Sequence, residues 1–162
     1  MTMTKLLIAL ATTVALASAM SVAAEDSVLG CFKRTYDRSH LAQHPDQLVT
    51  EVRLRIFRAP EGQAKWFEVR FKLRGQSKPR WSEGVCLEGG KCYVECDGGG
   101  FTVEPRTRDA LVHLNYIRTV MCDEDPSNLV DGEEGVSGGK DDRVFRLDRV
   151  DPAECLRSKK VS

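Results

Sequence analysis

Between Trp66 and Arg74 the chain alternates without a break, with Phe67, Val69, Phe71 and Leu73 set against Trp66, Glu68, Arg70, Lys72 and Arg74. Successive side chains on a β-strand point to opposite faces, so a run of period two presents one face to a core and the other to water. Thr50 to Ile56 repeats the pattern, with Val52, Leu54 and Ile56 against Glu51, Arg53 and Arg55. The segment between them, Ala59-Pro60-Glu61-Gly62-Gln63, has the chemistry of a turn. The two runs therefore predict an antiparallel hairpin with one wet face.

The rest of the chain continues in short strands. Arg80 to Leu87 predicts a third, and Glu88-Gly89-Gly90 turns it into a fourth over Lys91 to Cys96. Phe101 to Glu104, Ala110 to Val120 and Val144 to Asp148 follow, with Asp97 to Gly100 as another tight turn. Only Asp37 to Gln47 reads as a short helical turn near the N-terminus. Seven or eight short strands joined by hairpin-sized turns predict an all-β fold, a small antiparallel meander closed into a barrel, with a β-sandwich as the alternative. Closure removes the unpaired edges that invite aggregation.

The N-terminus bears on compartment. Lys5 precedes an apolar run from Leu6 to Ala17, and Val22-Ala23-Ala24 supplies the small residues of a cleavage site. Residues 1–24 read as a signal peptide and 25–162 as a single β domain, giving a periplasmic or secreted protein. No second apolar run of spanning length follows, so no membrane span is expected in the mature chain. All six cysteines lie after residue 24, and an even count in an exported chain predicts a disulfide framework. The formal net charge is zero, which gives no footing for nucleic-acid binding.

Cysteine placement narrows the pairing. Cys31 precedes the hairpin and Cys155 follows the last strand, so a bridge between them would tie the chain ends. Cys86 and Cys92 flank the Glu88-Gly89-Gly90 turn and can face each other across it, which leaves Cys96 with Cys122. The competing pattern, Cys86 with Cys96 and Cys92 with Cys122, requires a bent or bulged strand. No pair of cysteines has the spacing of a redox motif.

Three groupings offer chemistry. In a helical turn Asp37, His40 and His44 share one face at spacings that suit a divalent metal such as zinc or copper. Asp123 to Asp142 is acidic and glycine-rich, and its carboxylates offer oxygen to calcium, although their spacing does not match a calcium loop. The wet face of the hairpin carries Arg53, Arg55, Arg70, Lys72 and Arg74, a basic patch for a polyanion or an acidic partner, with Trp66 and Trp81 on or beside it. Ser39, His40 and Asp97 supply the residue types of a hydrolase triad without a nucleophile elbow. No other catalytic residues stand out, and no cofactor is expected apart from that divalent metal.

The stretches Tyr36 to Gln47, Cys92 to Gly100 and Asp141 to Leu147 resemble small exported proteins of alphaproteobacteria, proteins with no activity to carry over to any residue. The resemblance covers most of the mature chain and implies a periplasmic setting. Periplasmic lysozyme inhibitors share the expected architecture, but their Ser-Gly-rich inhibitory loop is absent here. The expected function is that of an exported, non-catalytic protein that binds a protein or small ligand. A periplasmic metal-binding protein and a lipocalin-like small-ligand carrier are the alternatives, ahead of a hydrolase.

Overall fold

A computed structural model describes residues 27–60, 62–94, 98–117 and 141–156. The predicted hairpin is present as β2 (Val49–Arg58) and β3 (Lys65–Leu73), antiparallel, with Val52 opposite Phe71, Leu54 opposite Val69 and Ile56 opposite Phe67. The matched apolar sets put six buried side chains on the same face of the sheet. A slip of either strand by one residue would turn its own three into water, and this fixes the register.

The meander runs on through β4 (Arg80–Cys86), β5 (Lys91–Val94), β6 (Gly99–Pro105), β7 (Asp109–Ile117) and β8 (Val144–Val150). β1 (Gly30–Thr35) precedes the hairpin, pairs with β2 on one side and with β8 on the other, and so closes an eight-stranded antiparallel barrel. Closure corrects the sandwich alternative, because every strand has two neighbours in one continuous sheet. β1 has no visible signature in the sequence, since Gly30-Cys31-Phe32-Lys33-Arg34 offers only two apolar side chains in a row and no alternation. Cys31 thus lies within a strand rather than ahead of the first one.

Among the described residues two short α-helices decorate the barrel. α1 (Arg38–Gln43) lies in the predicted helical turn but is shorter; Asp37 caps it, its Oδ1 accepting from the His40 amide at 2.8 Å. α2 (Pro152–Leu156) has no counterpart among the predicted elements; it follows β8 and lies on the outer wall against β1 and β2. There Cys155 bridges to Cys31, which is 2% exposed beneath it. Cys86 and Cys92 sit opposite each other in the β4–β5 register and form the second disulfide. Cys96, Cys122, residues 1–24 and all of the acidic segment except Asp141 and Asp142 lie outside the described residues.

The narrow turn of the wall at β4 to β6 depends on glycine. A Cβ on Gly84 would collide with the Tyr93 carbonyl of the neighbouring strand. Gly90, at φ 74°, closes the β4–β5 turn where a Cβ would strike the Val103 carbonyl. Both positions allow backbones to approach more closely than any side chain permits.

Candidate binding face

The first question for a small barrel is whether its interior holds a ligand or a core. Here opposite walls touch. Phe67 on β3 and Phe101 on β6 meet edge to face with ring centroids 4.8 Å apart, and Phe71 on β3 and Phe145 on β8 lie 6.5 Å apart. Neither pair belongs to neighbouring strands. Phe32, Leu54, Val103 and Leu147 belong to the same cluster, each at most 2% exposed. The interior at these levels is a packed core.

The outer wall therefore has to be read for function. On β2 and β3 the residues of outward parity are Glu51, Arg53, Arg55 and Phe57, with Trp66, Glu68, Arg70 and Lys72 opposite them. The structure brings Arg53, Arg55, Arg70, Lys72 and Trp66 to one face, Arg53 directly opposite Arg70. The charges are largely compensated. Glu51, 8% exposed, takes Arg53 Nε at 2.8 Å and Lys72 Nζ at 3.3 Å, and Arg55 Nη1 lies 3.7 Å from Glu68. Arg53 Nη1 also donates to the Glu154 carbonyl of α2 at 3.2 Å, and Lys33 pairs with the Glu154 carboxylate. Burial alone would raise the Glu51 carboxyl, but the hydrogen bonds and charges of Arg53 and Lys72 outweigh it and hold the group below its ordinary value. The patch is thus a network of ion pairs, part of it roofed by α2, rather than an unbroken basic field.

The same register assembles something the sequence showed only in part. Phe57, Trp66, Val85 and Tyr93 stand in one cross-strand row on the outer face of β2, β3, β4 and β5. Tyr93 is 47% exposed, and Arg55 lies over the Phe57 ring at 4.3 Å. Trp81, 46% exposed, stands on β4 opposite Arg70. Both tryptophans thus share the outer face. Between the apolar row and Trp81 run Arg55, Glu68 and Glu83. Phe57 and Val85 carry a readable signal, because Phe57 has the parity of Glu51, Arg53 and Arg55 in its strand and Val85 that of Trp81 and Glu83. That they align depends on the register of β4, which no single strand reveals.

The metal candidate has a different arrangement. His40 and His44 stack face to face, centroids 4.4 Å apart and planes 23° from parallel, and Tyr36 stacks on the far side of His40 at 4.7 Å. A metal lies in the plane of each imidazole that binds it, and two stacked rings do not share such a point. Asp37 is occupied as the cap of α1, and His40 Nε2 is 3.0 Å from Gln47 Oε1. Among the described residues no three His, Cys, Asp or Glu side chains form a metal-holding group. Of the triad types, Ser39 is exposed beside this stack, and Asp97 lies outside the described residues.

Two further carboxylates are buried for structural reasons. Asp142, 1% exposed, accepts from the Leu48 amide at 2.7 Å and the Val49 amide at 3.3 Å, tying the entry of β2 to the entry of β8. Burial, aided by Asp141, raises its carboxyl above the ordinary value despite these amides. Asp109, 5% exposed, is held through Oδ2 by Arg146 Nε at 2.6 Å. No protein-family model, no curated protein and no solved structure matches this chain.

Proposed function

We propose that this chain is an exported, non-catalytic binding protein that engages a protein partner through the outer face of β2 to β5. The observation that carries the reading is the row Phe57, Trp66, Val85 and Tyr93 on the outside of a barrel whose inside is filled. Tryptophan, tyrosine and arginine are the residues in which interface energy concentrates, and paired charges at the margin suit a polar rim. The two disulfides among the described residues favour an oxidising compartment. That agrees with the signal-peptide reading and with the periplasmic setting that the resemblance implies. A lipocalin-like carrier finds less support, because cross-barrel ring contacts occupy the space its ligand would need.

The test is native mass spectrometry of the protein isolated from its own export compartment, for the wild type and for W66A/Y93A. The reading expects a complex with a second polypeptide that the double variant loses. A bound small molecule or metal, retained by W66A/Y93A, would replace it with the carrier or metal-binding reading.

A further inference from the structure

We propose that Cys155 is a site of S-thiolation, at which a small thiol attacks the sulfur, displaces Cys31 and lifts α2 from the barrel wall. The two ends of this disulfide are held very differently. Cys31 lies in β1, opposite Arg55 of β2 on one side and Val150 of β8 on the other, and is 2% exposed. Cys155 lies in α2, a helix of five residues, where Pro152 and Ala153 are exposed and Glu154 and Cys155 half-buried. So short a helix has no stability of its own in water. Besides the disulfide, Glu154 ties it to the wall. Its carboxylate meets Lys33 Nζ and its carbonyl accepts from Arg53 Nη1, both at 3.2 Å.

Thiol–disulfide exchange proceeds by attack of a thiolate on one of the two sulfurs, and access decides which. Cys31 is covered, so the incoming thiolate reaches Cys155. One S–S bond forms, between the thiol and Cys155 Sγ, and one breaks, between Cys155 Sγ and Cys31 Sγ. The electron pair of the broken bond leaves on Cys31 as a thiolate. The incoming sulfur is oxidised and Cys31 is reduced, so the exchange balances with the thiol as sole co-reactant. Charge favours the departure. Cys31 shares the outer face of β1 with Lys33, and Arg55 stands opposite it. As α2 lifts it takes Glu154 away from Lys33 and Arg53, next to the place where negative charge appears. The other carboxylates are engaged elsewhere: Glu51 with Arg53 and Lys72, Glu68 with Arg55, and Asp148, opposite Lys33, with Arg34.

The second disulfide supplies the contrast. Cys86 and Cys92, 5% and 1% exposed, belong to the core cluster inside the barrel, so neither sulfur meets a thiol from solvent. Exchange at Cys155 leaves the barrel closed, because β1 keeps its backbone pairing with β2 and β8. The product bares Cys31 and frees Lys33 and Arg53 from Glu154.

The test treats the intact, oxidised protein with reduced glutathione in the absence of denaturant, traps free thiols with iodoacetamide and maps the peptides by mass. Glutathione should be found on Cys155 and the alkyl group on Cys31, in at least about tenfold excess over the reverse arrangement, since access selects the sulfur attacked. An unfolded chain would show no such preference, so the ratio also reports whether attack occurs on the folded protein. Hydrogen–deuterium exchange of the adduct supplies the second reading. The Glu154 amide, which bonds to the Asp151 carbonyl, should lose its protection while the β1 amides keep theirs. Absence of an adduct, similar amounts on Cys31 and Cys155, or loss of β1 protection together with that of α2 would each overturn the proposal.

Discussion

Phe71 on β3 and Phe145 on β8 face each other across the barrel with ring centroids 6.5 Å apart, and both are at most 2% exposed. The contact joins strands that are not neighbours, so it belongs to the core and not to the sheet. Phe71→Ala would open a void between two walls that the pairing of β1 with β2 and β8 holds in place. The expected loss is about 3–5 kcal/mol, measured as a lower urea midpoint at unchanged slope. A loss below about 1 kcal/mol would mean that the interior is loosely filled.

Gly84 predicts a second large effect from a small change. The Cβ of Gly84→Ala would meet the Tyr93 carbonyl, a backbone atom that cannot swing aside. A cost of about 2–4 kcal/mol is expected. Gly75, which has open space around it but a φ of 77°, is the comparison. Alanine there meets only the smaller backbone penalty, about 1 kcal/mol.

These effects mark how far the sequence could be read. Alternation in β2 and β3 was legible because a half-exposed strand writes its two environments into consecutive residues. β1 was not, because Cys31 faces outward yet is buried beneath α2, a covering that depends on a helix 124 residues further along. The Cys31–Cys155 and Cys86–Cys92 pairings agree with spacing alone, since one ties the chain ends and the other spans a single turn. The basic face was legible as a set of residues, but its neutralisation was not. Glu51 lies in the same alternation as the arginines, and only the β2–β3 register places Lys72 opposite it. Asp37, His40 and His44 read as ligands by spacing, whereas the ring of His40 is held by Tyr36 and Gln47 from outside the helix and His44 stacks on it.

The disulfides should contribute unequally. On the chain-entropy account, the Cys31–Cys155 bridge with its sequence separation of 124 stabilises by up to about 5 kcal/mol, against about 2 kcal/mol for Cys86–Cys92 with a separation of 6. Urea unfolding of the C31S/C155S and C86S/C92S double variants measures the difference. Equal losses would show that native packing at Cys86 and Cys92, rather than loop closure, sets the value.

Glu51 and Asp142 predict opposite responses to acid. Glu51 is held low in the fold, so it adds stability above its unfolded pKa, about 4.3, and that stability is lost as the pH falls through the folded value. Asp142 is raised in the fold, so its contribution is fully present below its unfolded pKa and is lost as the pH rises through the folded value. Asp142→Asn, which still accepts from the Leu48 and Val49 amides, should therefore be tolerated at pH 7. Asp142→Ala strands both amides and should cost about 1–3 kcal/mol. Unfolding curves of Glu51→Gln should be flatter than wild type between pH 5 and pH 3.

The central claim, that the outer face of β2 to β5 is the contact surface, is tested most directly by site-specific photo-crosslinking in the native compartment. A crosslinking residue is placed at Tyr93, in the aromatic row, and separately at Val144, 51% exposed on β8 and away from that row. The account predicts one discrete polypeptide adduct from position 93, weakened by Trp66→Ala, and none from position 144. Adducts from position 144 with none from position 93 would contradict it.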